Sequence, residues 1–346
     1  MPLVNVPALV FWAPLLVNPA TFTDARNIRN GWEIPSEGYC DQPYVVVLDD
    51  GTWLCTLTTC QGKEGATRQH VVSTRSRDHG KTWEPLTDIE ASGPPESSWA
   101  VPLKTPGGRV YVFCDYNADN IRNVNTSDGK KINRVDTLGH YVFKYSDDGG
   151  KSWSAQRYRV PIREFAIDRE NVYEGRIQFM WSVAKPLVQN GNVYIGLSKV
   201  GNFGNGFIER SEGVILKSDN ALTEKDPNRI TRETLPDGDI GLRAPKGPIA
   251  EEQNLAALSD GSLFCTYRTT QGHPCHAYSR DGGHTWTPPA WMTCAPDGPV
   301  FKHPRAASFV RRFSNGKFLY WFHNHGGTSY EGRNPVWMCG GVERDG

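Results

Sequence analysis

An eight-residue turn motif occurs three times in the sequence, each time after a run of β-forming residues. The copies read SRDHGKTW at 76–83, SDDGGKSW at 146–153 and SRDGGHTW at 279–286, and a degenerate copy, KSDNALTE, lies at 217–224. In each full copy the aspartate can accept backbone N–H groups across the turn, and the glycine permits a positive φ. The tryptophan can pack the turn against a sheet. A turn repeated in this way indicates a fold built from repeated β units.

Five β-hairpins recur along the chain together with this motif. An Asp-Gly or Asn-Gly pair between two apolar runs is the strongest short-range hairpin signal, because these residues accept φ > 0. The turns are roughly 55–85 residues apart, in or above the range for the blades of a β-propeller. No long segment has a sustained helical period, so the sequence predicts an all-β propeller. The turn glycines are Gly51, Gly108, Gly191, Gly261 and Gly316.

The turn motif is similar to the Asp box, or BNR repeat, of sialidase-type (neuraminidase) β-propellers. The resemblance covers about residues 40–340 in architecture and implies a six-bladed propeller that forms one domain, residues 1–346. In this family the boxes are structural turns at the edges of the blades, so we assign them no catalytic role. Residues 8–17 could add one strand to a sixth, closing blade, which we expect to be incomplete in this chain. Five blades are predicted to start near residues 41, 99, 181, 252 and 304.

Composition narrows the range of partners. Lys+Arg 38 balances Asp+Glu 38, which argues against a nucleic-acid partner. No apolar run is long enough to predict a membrane span. The apolar N-terminal segment lacks a basic region and is interrupted by prolines, so it is a poor signal peptide; the compartment stays open, with the cytoplasm slightly favoured over secretion. The eight cysteines fit no zinc or redox spacing, and free thiols are the favoured interpretation.

The resemblance is strongest in the fourth and fifth blades, where it implies a clamp of arginines around a substrate carboxylate. Arginine suits this role because it binds a carboxylate bidentately and stays charged at any working pH. Glu252 and Arg268 match a buried glutamate and one clamp arginine of the family, and Arg333 matches a second arginine. Arg305 is an additional candidate. Because Glu251 and Glu252 are adjacent in a predicted strand, we expect only one of them to face the central mouth.

Two departures from the family pattern concern catalysis. Where the first clamp arginine is expected, the sequence has Asp41, followed by Gln42. Sialidases also use a tyrosine nucleophile, which the resemblance places on the sixth blade and therefore beyond Gly346. The family's general acid is an aspartate on the loop after the first hairpin, and Glu64 is the only carboxylate there before the turn motif. Glu64 and Asp41 therefore remain alternative general acids, with Glu252 as a third catalytic candidate.

Further candidates for substrate binding lie at the starts of other blades. Trp99 and Trp181 could stack on a sugar or simply pack in the core. Lys185 could contribute to anion binding, and Asn324 ends a strand next to the segment that contains Arg333. His273 and His276 lack further ligands, so no metal site is predicted, and no motif indicates a cofactor.

These observations favour an exo-acting glycoside hydrolase of the sialidase type that removes a terminal anionic sugar, such as sialic acid, from a glycan. One alternative is a propeller that binds carbohydrate without catalysis. Another is a propeller hydrolase or lyase for a different acidic sugar. The replacement of an arginine by Asp41 is the main reason to keep both alternatives.

Overall fold

A computed structural model describes residues 27–204, 207–326 and 333–344. Residues Met1–Glu33 and Ile34–Gly346 form two separate compact units, and the sheets described below belong to the second. The described part of the first unit contains one 3₁₀ turn, Ile28–Asn30. In the second, a four-residue α-helix, Ala166–Arg169, and a 3₁₀ turn, Pro227–Arg229, accompany the strands. Among the described residues, no helix is long and apolar enough to cross a membrane.

The strands form five successive antiparallel sheets, which are the blades of a β-propeller. Blade 1 contains β1 (Tyr39–Val47), β2 (Trp53–Cys60), β3 (His70–Ser76) and β4 (Thr87–Asp88). Blade 2 contains β5 (Ser97–Lys104), β6 (Val110–Tyr116), β9 (His140–Ser146) and β10 (Tyr158–Arg159), and between β6 and β9 the chain forms a ribbon of β7 (Val124–Asn125) and β8 (Lys131–Ile132).

Blades 3 to 5 follow the same plan with small variations. Blade 3 contains β11 (Phe179–Trp181), β12 (Leu187–Gln189), β13 (Asn192–Gly204), β14 (Phe207–Ser218) and β15 (Glu233–Leu235). Blade 4 contains β16 (Glu251–Ala257), β17 (Leu263–Arg268), β18 (Cys275–Ser279) and β19 (Ala290–Trp291). Blade 5 contains β20 (Phe309–Arg312), β21 (Phe318–Phe322) and β22 (Trp337–Gly341).

The structure contains five blades, whose first strands begin at Tyr39, Ser97, Phe179, Glu251 and Phe309. The prediction of an all-β propeller is confirmed. A sixth blade, complete or incomplete, remains a prediction, and residues 8–17 lie outside the described part of the chain.

Apolar side chains from consecutive blades pack against each other and form the core. Between blades 2 and 3, Phe113 and Phe143 pack in one cluster with Ile195 and Leu197. Similar clusters join blade 3 to blade 4 and blade 4 to blade 5. Both faces of β2 and β16 are thus covered, which explains why these two strands are almost entirely buried.

The three turn motifs have the predicted geometry. In the second copy, Asp148 accepts the backbone N–H groups of Lys151 and Ser152 at 3.0 Å each, and the Ser152 hydroxyl donates to the same carboxylate. The glycines at the corresponding position have φ between 81° and 99°. Trp153 donates from Nε1 to Ser73 Oγ at 3.0 Å and so ties the motif of blade 2 to blade 1. The second turn motif therefore joins blade 2 to blade 1.

Substitution of Gly150 tests the contact between the second turn motif and blade 1, because both the backbone conformation of Gly150 and the space around it exclude a side chain. Its φ is +81°, and a Cβ at this position would lie 2.5 Å from Cδ1 of the buried Leu54 of blade 1. Gly191 has nearly the same φ, +79°, with nothing within 4 Å. We expect Gly191→Ala to cost about 1 kcal/mol of unfolding free energy from backbone strain alone, and Gly150→Ala about 1–3 kcal/mol more from overpacking. Urea unfolding measures both, and equal losses would contradict an interblade contact at Gly150.

Candidate active site

A cavity of about 920 Å³ opens where the inner strands of all five blades begin. Its lining combines carboxylates, cations and aromatic rings. Residues 41–44 contribute from blade 1, and residues 307 and 309 from blade 5. Most of the residues predicted from the sequence line it: Asp41, Gln42, Glu64, Trp99, Trp181, Glu252, Arg268 and Arg333.

Backbone bulges at equivalent positions of three inner strands place residues of this cavity. The register shifts between Asp41 and Tyr44 in β1, and the same irregularity occurs in β5 and β16. Within each bulge one non-glycine residue has a positive φ: Gln42 at 51°, Trp99 at 65° and Glu252 at 63°. All three line the cavity. Strained backbone of this kind is concentrated at functional sites in proteins.

The bulged backbone is held by hydroxyl groups of the preceding blade. The Trp99 N–H donates to Thr58 Oγ1 at 2.9 Å, and the Glu252 N–H donates to Ser198 Oγ at 2.7 Å. Both hydroxyl residues are buried. Because a buried N–H without a partner is costly, these bonds compensate for the interruption of strand pairing at the bulge.

The bulge in β16 gives Glu251 and Glu252 different surroundings while keeping both beside one guanidinium. Glu251 is fully buried, and Arg268 donates to it from Nε at 2.8 Å. Arg305 forms a second, bidentate pair with Glu251. Burial alone would raise the pKa of Glu251, but the two guanidinium groups outweigh burial and lower it. Of the two glutamates, only Glu252 is among the residues that line the cavity.

Glu252 has the electrostatic properties of an acid–base group. Its Oε1 lies 2.9 Å from Nη1 of Arg268, whereas its buried Oε2 has no hydrogen-bond partner among the described residues. Burial raises the pKa of Glu252 to about 7, the negative charge of Glu251 adds to this increase, and Arg268 offsets only part of it. A carboxyl group with a pKa near neutrality can both donate and accept a proton under physiological conditions.

Asp41 places a second carboxyl group in the cavity. Tyr39 donates from Oη to its Oδ2 at 2.7 Å. Burial raises the pKa of Asp41, and the hydrogen bond from Tyr39 offsets part of this effect. Glu64 raises the pKa further, while Arg333 lowers it. The neighbouring Gln42, which also lines the cavity, has a buried side-chain amide without a hydrogen-bond partner among the described residues.

Glu64 belongs to a charged group whose other members, Arg134 and Asp136, were not predicted from the sequence. Arg134 lies 3.2 Å from Glu64 and 3.1 Å from Asp136 and also lines the cavity. Asp136 is fully buried, and burial raises its pKa to about 6. Both residues lie in the short connection between β8 and β9, which has no motif, and no pattern in the sequence indicated that Arg134 reaches the cavity.

The aromatic candidates form walls of the cavity. Trp99 donates from its indole nitrogen to the carbonyl oxygen of Asp136, which fixes its ring beside the charged group of Arg134. Trp181 is 4% exposed and packs in the same apolar cluster as Trp99. Phe309 and Trp321 of blade 5 complete the lining with ring centroids 5.5 Å apart. Planar apolar surfaces of this type suit the face of a sugar ring.

The remaining predicted binding residues occupy different places. Arg333 lines the cavity and donates to the carbonyl oxygen of Arg305. Arg305 lies behind the lining, where it pairs with Glu251. Lys185 lies outside the lining and donates to the carbonyl oxygen of Val45. Asn324 is exposed and is not part of the lining.

One group of potential metal ligands lies away from the cavity. Glu233, Asp237 and His284 have ligand atoms within 4.8 Å of one another at the surface between blades 3 and 4. Lys217 already pairs with Glu233 at 3.3 Å, and His284 lies 3.1 Å from Asp237. Lys217 thus offsets one of the two carboxylate charges of this group.

Comparisons with known proteins place this architecture among sialidase folds. The family model of the BNR/Asp-box repeat matches residues 144–155, which contain the second turn motif. No curated protein sequence matches the chain. A leech intramolecular trans-sialidase is similar in structure, with a TM-score of 0.61, 13% identity and coverage of 94% of this chain and 62% of that chain.

Two further solved structures have a similar fold. The K499G mutant of the NanB sialidase from Streptococcus pneumoniae has a TM-score of 0.58 and 13% identity, over 88% of this chain and 59% of that chain. A protein of unknown function from Dyadobacter fermentans has a TM-score of 0.58 and 14% identity, over 91% of this chain and 85% of that chain. The chain thus spans about six tenths of the length of the leech and pneumococcal enzymes. Its fold is a sialidase-type β-propeller with Asp-box repeats.

The raised pKa of Glu252 predicts a pH dependence of stability. Between its ordinary value of 4.5 and about 7, the folded protein retains a proton on this group that the unfolded chain has released. The corresponding stabilisation is complete below about pH 4.5 and is lost as pH rises through about 7. The glutamine of Glu252→Gln is neutral at every pH. Between about pH 5 and pH 8, the unfolding free energy of wild type should therefore fall by up to about 3 kcal/mol relative to that of Glu252→Gln.

Urea unfolding at several pH values measures this difference. The side chain of Glu174 is 75% exposed, so Glu174→Gln controls for the effect of an amide substitution. Parallel pH profiles of wild type and Glu252→Gln would show that burial does not shift the titration of Glu252.

Proposed function

We propose that this protein is an exo-acting glycoside hydrolase that binds a terminal anionic sugar, with sialic acid as the first candidate. The observation that carries the proposal is the placement of Arg268 and Arg333, from two different blades, in one cavity with Glu252. Two arginines that converge from separate elements suit a bidentate grip on a carboxylate. The sialidase fold adds support as an analogy of architecture.

In this proposal the side chains divide into three roles. Arg268 and Arg333 hold the substrate carboxylate, and Trp99 and Trp181 contact the sugar ring. Glu252 exchanges a proton at near-neutral pH, as its raised pKa allows. Asp41 or Glu64 protonates the leaving oxygen, and the raised pKa of Asp41 favours Asp41 for this role.

The nucleophile stays unassigned in this proposal. Tyr44 lines the cavity, but its hydroxyl donates to the carbonyl oxygen of Val183, and burial raises its pKa. Tyr39 is committed to Asp41. Neither matches the position that sialidases use for their tyrosine, so the proposal covers recognition and proton transfer.

Asp41 favours a second candidate function, the binding or cleavage of a different acidic sugar. It places a carboxyl group where the family pattern has the first clamp arginine, and Glu64 adds a further acid to the lining. A cavity with fewer net positive charges attracts a carboxylate less strongly. A sugar whose acid group contacts only Arg268 and Arg333, such as a uronic acid, is compatible with this arrangement.

Arg333→Met tests the anion-binding role with little structural cost. Arg268→Met is less suitable, because it would leave Glu251 and Glu252 without an important partner. We expect Arg333→Met to lower kcat/KM for 4-methylumbelliferyl sialoside, or for the corresponding β-glucuronide, by about 10- to 100-fold, the value of one charge-assisted contact. Fluorescence release measures both substrates, and a neutral galactoside serves as the reference.

Arg280→Met, which replaces an exposed arginine of the third turn motif, is the matched control. Turnover of an anionic glycoside that is equal in Arg333→Met and wild type would remove Arg333 from the site. If wild type cleaves none of the glycosides, calorimetric titration with the free sugars distinguishes a binding protein, which retains affinity, from a protein without an acidic-sugar site.

Asp41→Asn separates the two roles that Asp41 could have. If Asp41 only repels the substrate anion, its loss of charge lowers KM several-fold and leaves kcat unchanged. If it is the general acid, we expect kcat to fall by roughly 10²–10⁴-fold with a disaccharide substrate and much less with methylumbelliferyl glycosides, whose leaving group needs little protonation. Equal effects on both substrates would argue against general acid catalysis by Asp41.

A further inference from the structure

Two cations lie deeper in the propeller than the candidate active site. In β20, Phe309 lines the cavity and Arg311 follows two residues later on the same face of the strand. In blade 3, Val183 lines the cavity and Lys185 lies two residues further along the inner segment. Neither residue lines the cavity, and Lys185 and Arg311 are close enough for the charge of Arg311 to act on Lys185.

Contacts between blades 1 and 3 place Lys185 near the centre of the propeller. The Tyr44 hydroxyl of blade 1 donates to the carbonyl oxygen of Val183, and Lys185 donates back to the carbonyl oxygen of Val45. Blade 2 separates these two blades around the ring, so the contacts cross the centre of the propeller. Arg311 comes from blade 5 and is close enough for its charge to act on both Tyr44 and Lys185.

The two cations have no acidic partner among the described residues. Arg311 donates from Nη1 to the carbonyl oxygen of Val310 at 3.2 Å, and neither it nor Lys185 forms a salt bridge with a described carboxylate. Burial lowers the pKa of both groups, and for Lys185 the charge of Arg311 adds to the effect. The other groups that act on them are the Tyr44 hydroxyl and the Cys55 thiol.

Two like charges in a partly dehydrated channel are unfavourable unless a counter-ion accompanies them. We propose that a small inorganic anion binds in the central channel between Lys185 and Arg311, beneath the candidate active site. The ammonium keeps two N–H donors and the guanidinium four after their bonds to Val45 and Val310 are counted. These donors suit a compact anion such as chloride, and the ion would link the inner segments of blades 1, 3 and 5.

Thermal unfolding in two sodium salts of equal ionic strength tests this proposal. Chloride is small enough for the channel, whereas gluconate serves as the bulky reference anion. We expect wild type to unfold about 2 °C or more higher in 100 mM chloride than in gluconate. Arg311→Met and Lys185→Met should lose this difference and, in gluconate, be at least as stable as wild type, because each removes a partly buried charge that has no acidic partner among the described residues.

Arg312→Met is the matched control, because Arg312 is exposed and adjacent to Arg311; it should retain the chloride effect. Equal chloride effects in wild type and Arg311→Met would overturn the proposal. Anomalous diffraction from wild-type crystals soaked in bromide gives a second test that does not depend on any variant. A peak between Lys185 and Arg311 would support the site, and a well-ordered channel without a peak would exclude it.

Discussion

The bulge at the start of the inner strands is the constraint on which the candidate active site depends. In a regular antiparallel strand, consecutive side chains face opposite sides, so two adjacent residues cannot both serve one group. The extra residue in β16 breaks this rule and lets Glu251 and Glu252 contact the same arginine. The positive φ that the bulge imposes is tolerated because Ser198 of the preceding blade accepts the displaced N–H. Blade packing and site geometry are therefore coupled.

This coupling explains how two neighbouring glutamates acquire opposite electrostatic properties. Glu251 has two guanidinium partners, and its pKa is lowered despite complete burial. The pKa of Glu252 is raised chiefly by burial, and Glu252 shares only one of the two guanidinium groups and lies beside a charged Glu251. Arg305 thus acts on the cavity from behind the lining, by keeping Glu251 ionised. Pairs of acids whose surroundings separate their pKa values are a recurrent feature of acid–base catalysis.

Most of the fold could be predicted from the sequence because its signals are local. The hairpin turns and the Asp boxes each depend on a few residues that are close in the chain, and all five sheets contain the predicted hairpins. The site was predictable only where a residue lies in or next to a repeat, as Glu252 and Arg268 do. Arg134 and its buried partner Asp136 were missed because the connection that contains them has no motif, and tertiary contacts alone bring Arg134 to the cavity. The bulges were missed for a similar reason, since no glycine marks them.

The placement of Lys185 shows the limit of reasoning from blade starts. Its position matched that of cavity residues in other blades, but the chain between β11 and β12 is irregular, and the ammonium group lies one step deeper in the channel. Charge is consequently distributed along the propeller axis. Acids and arginines alternate around the cavity, while cations without described acidic partners lie below it. Because Tyr44 is influenced by Arg311 from below and by Glu252 and Asp41 from above, it lies between these two regions and links their electrostatics.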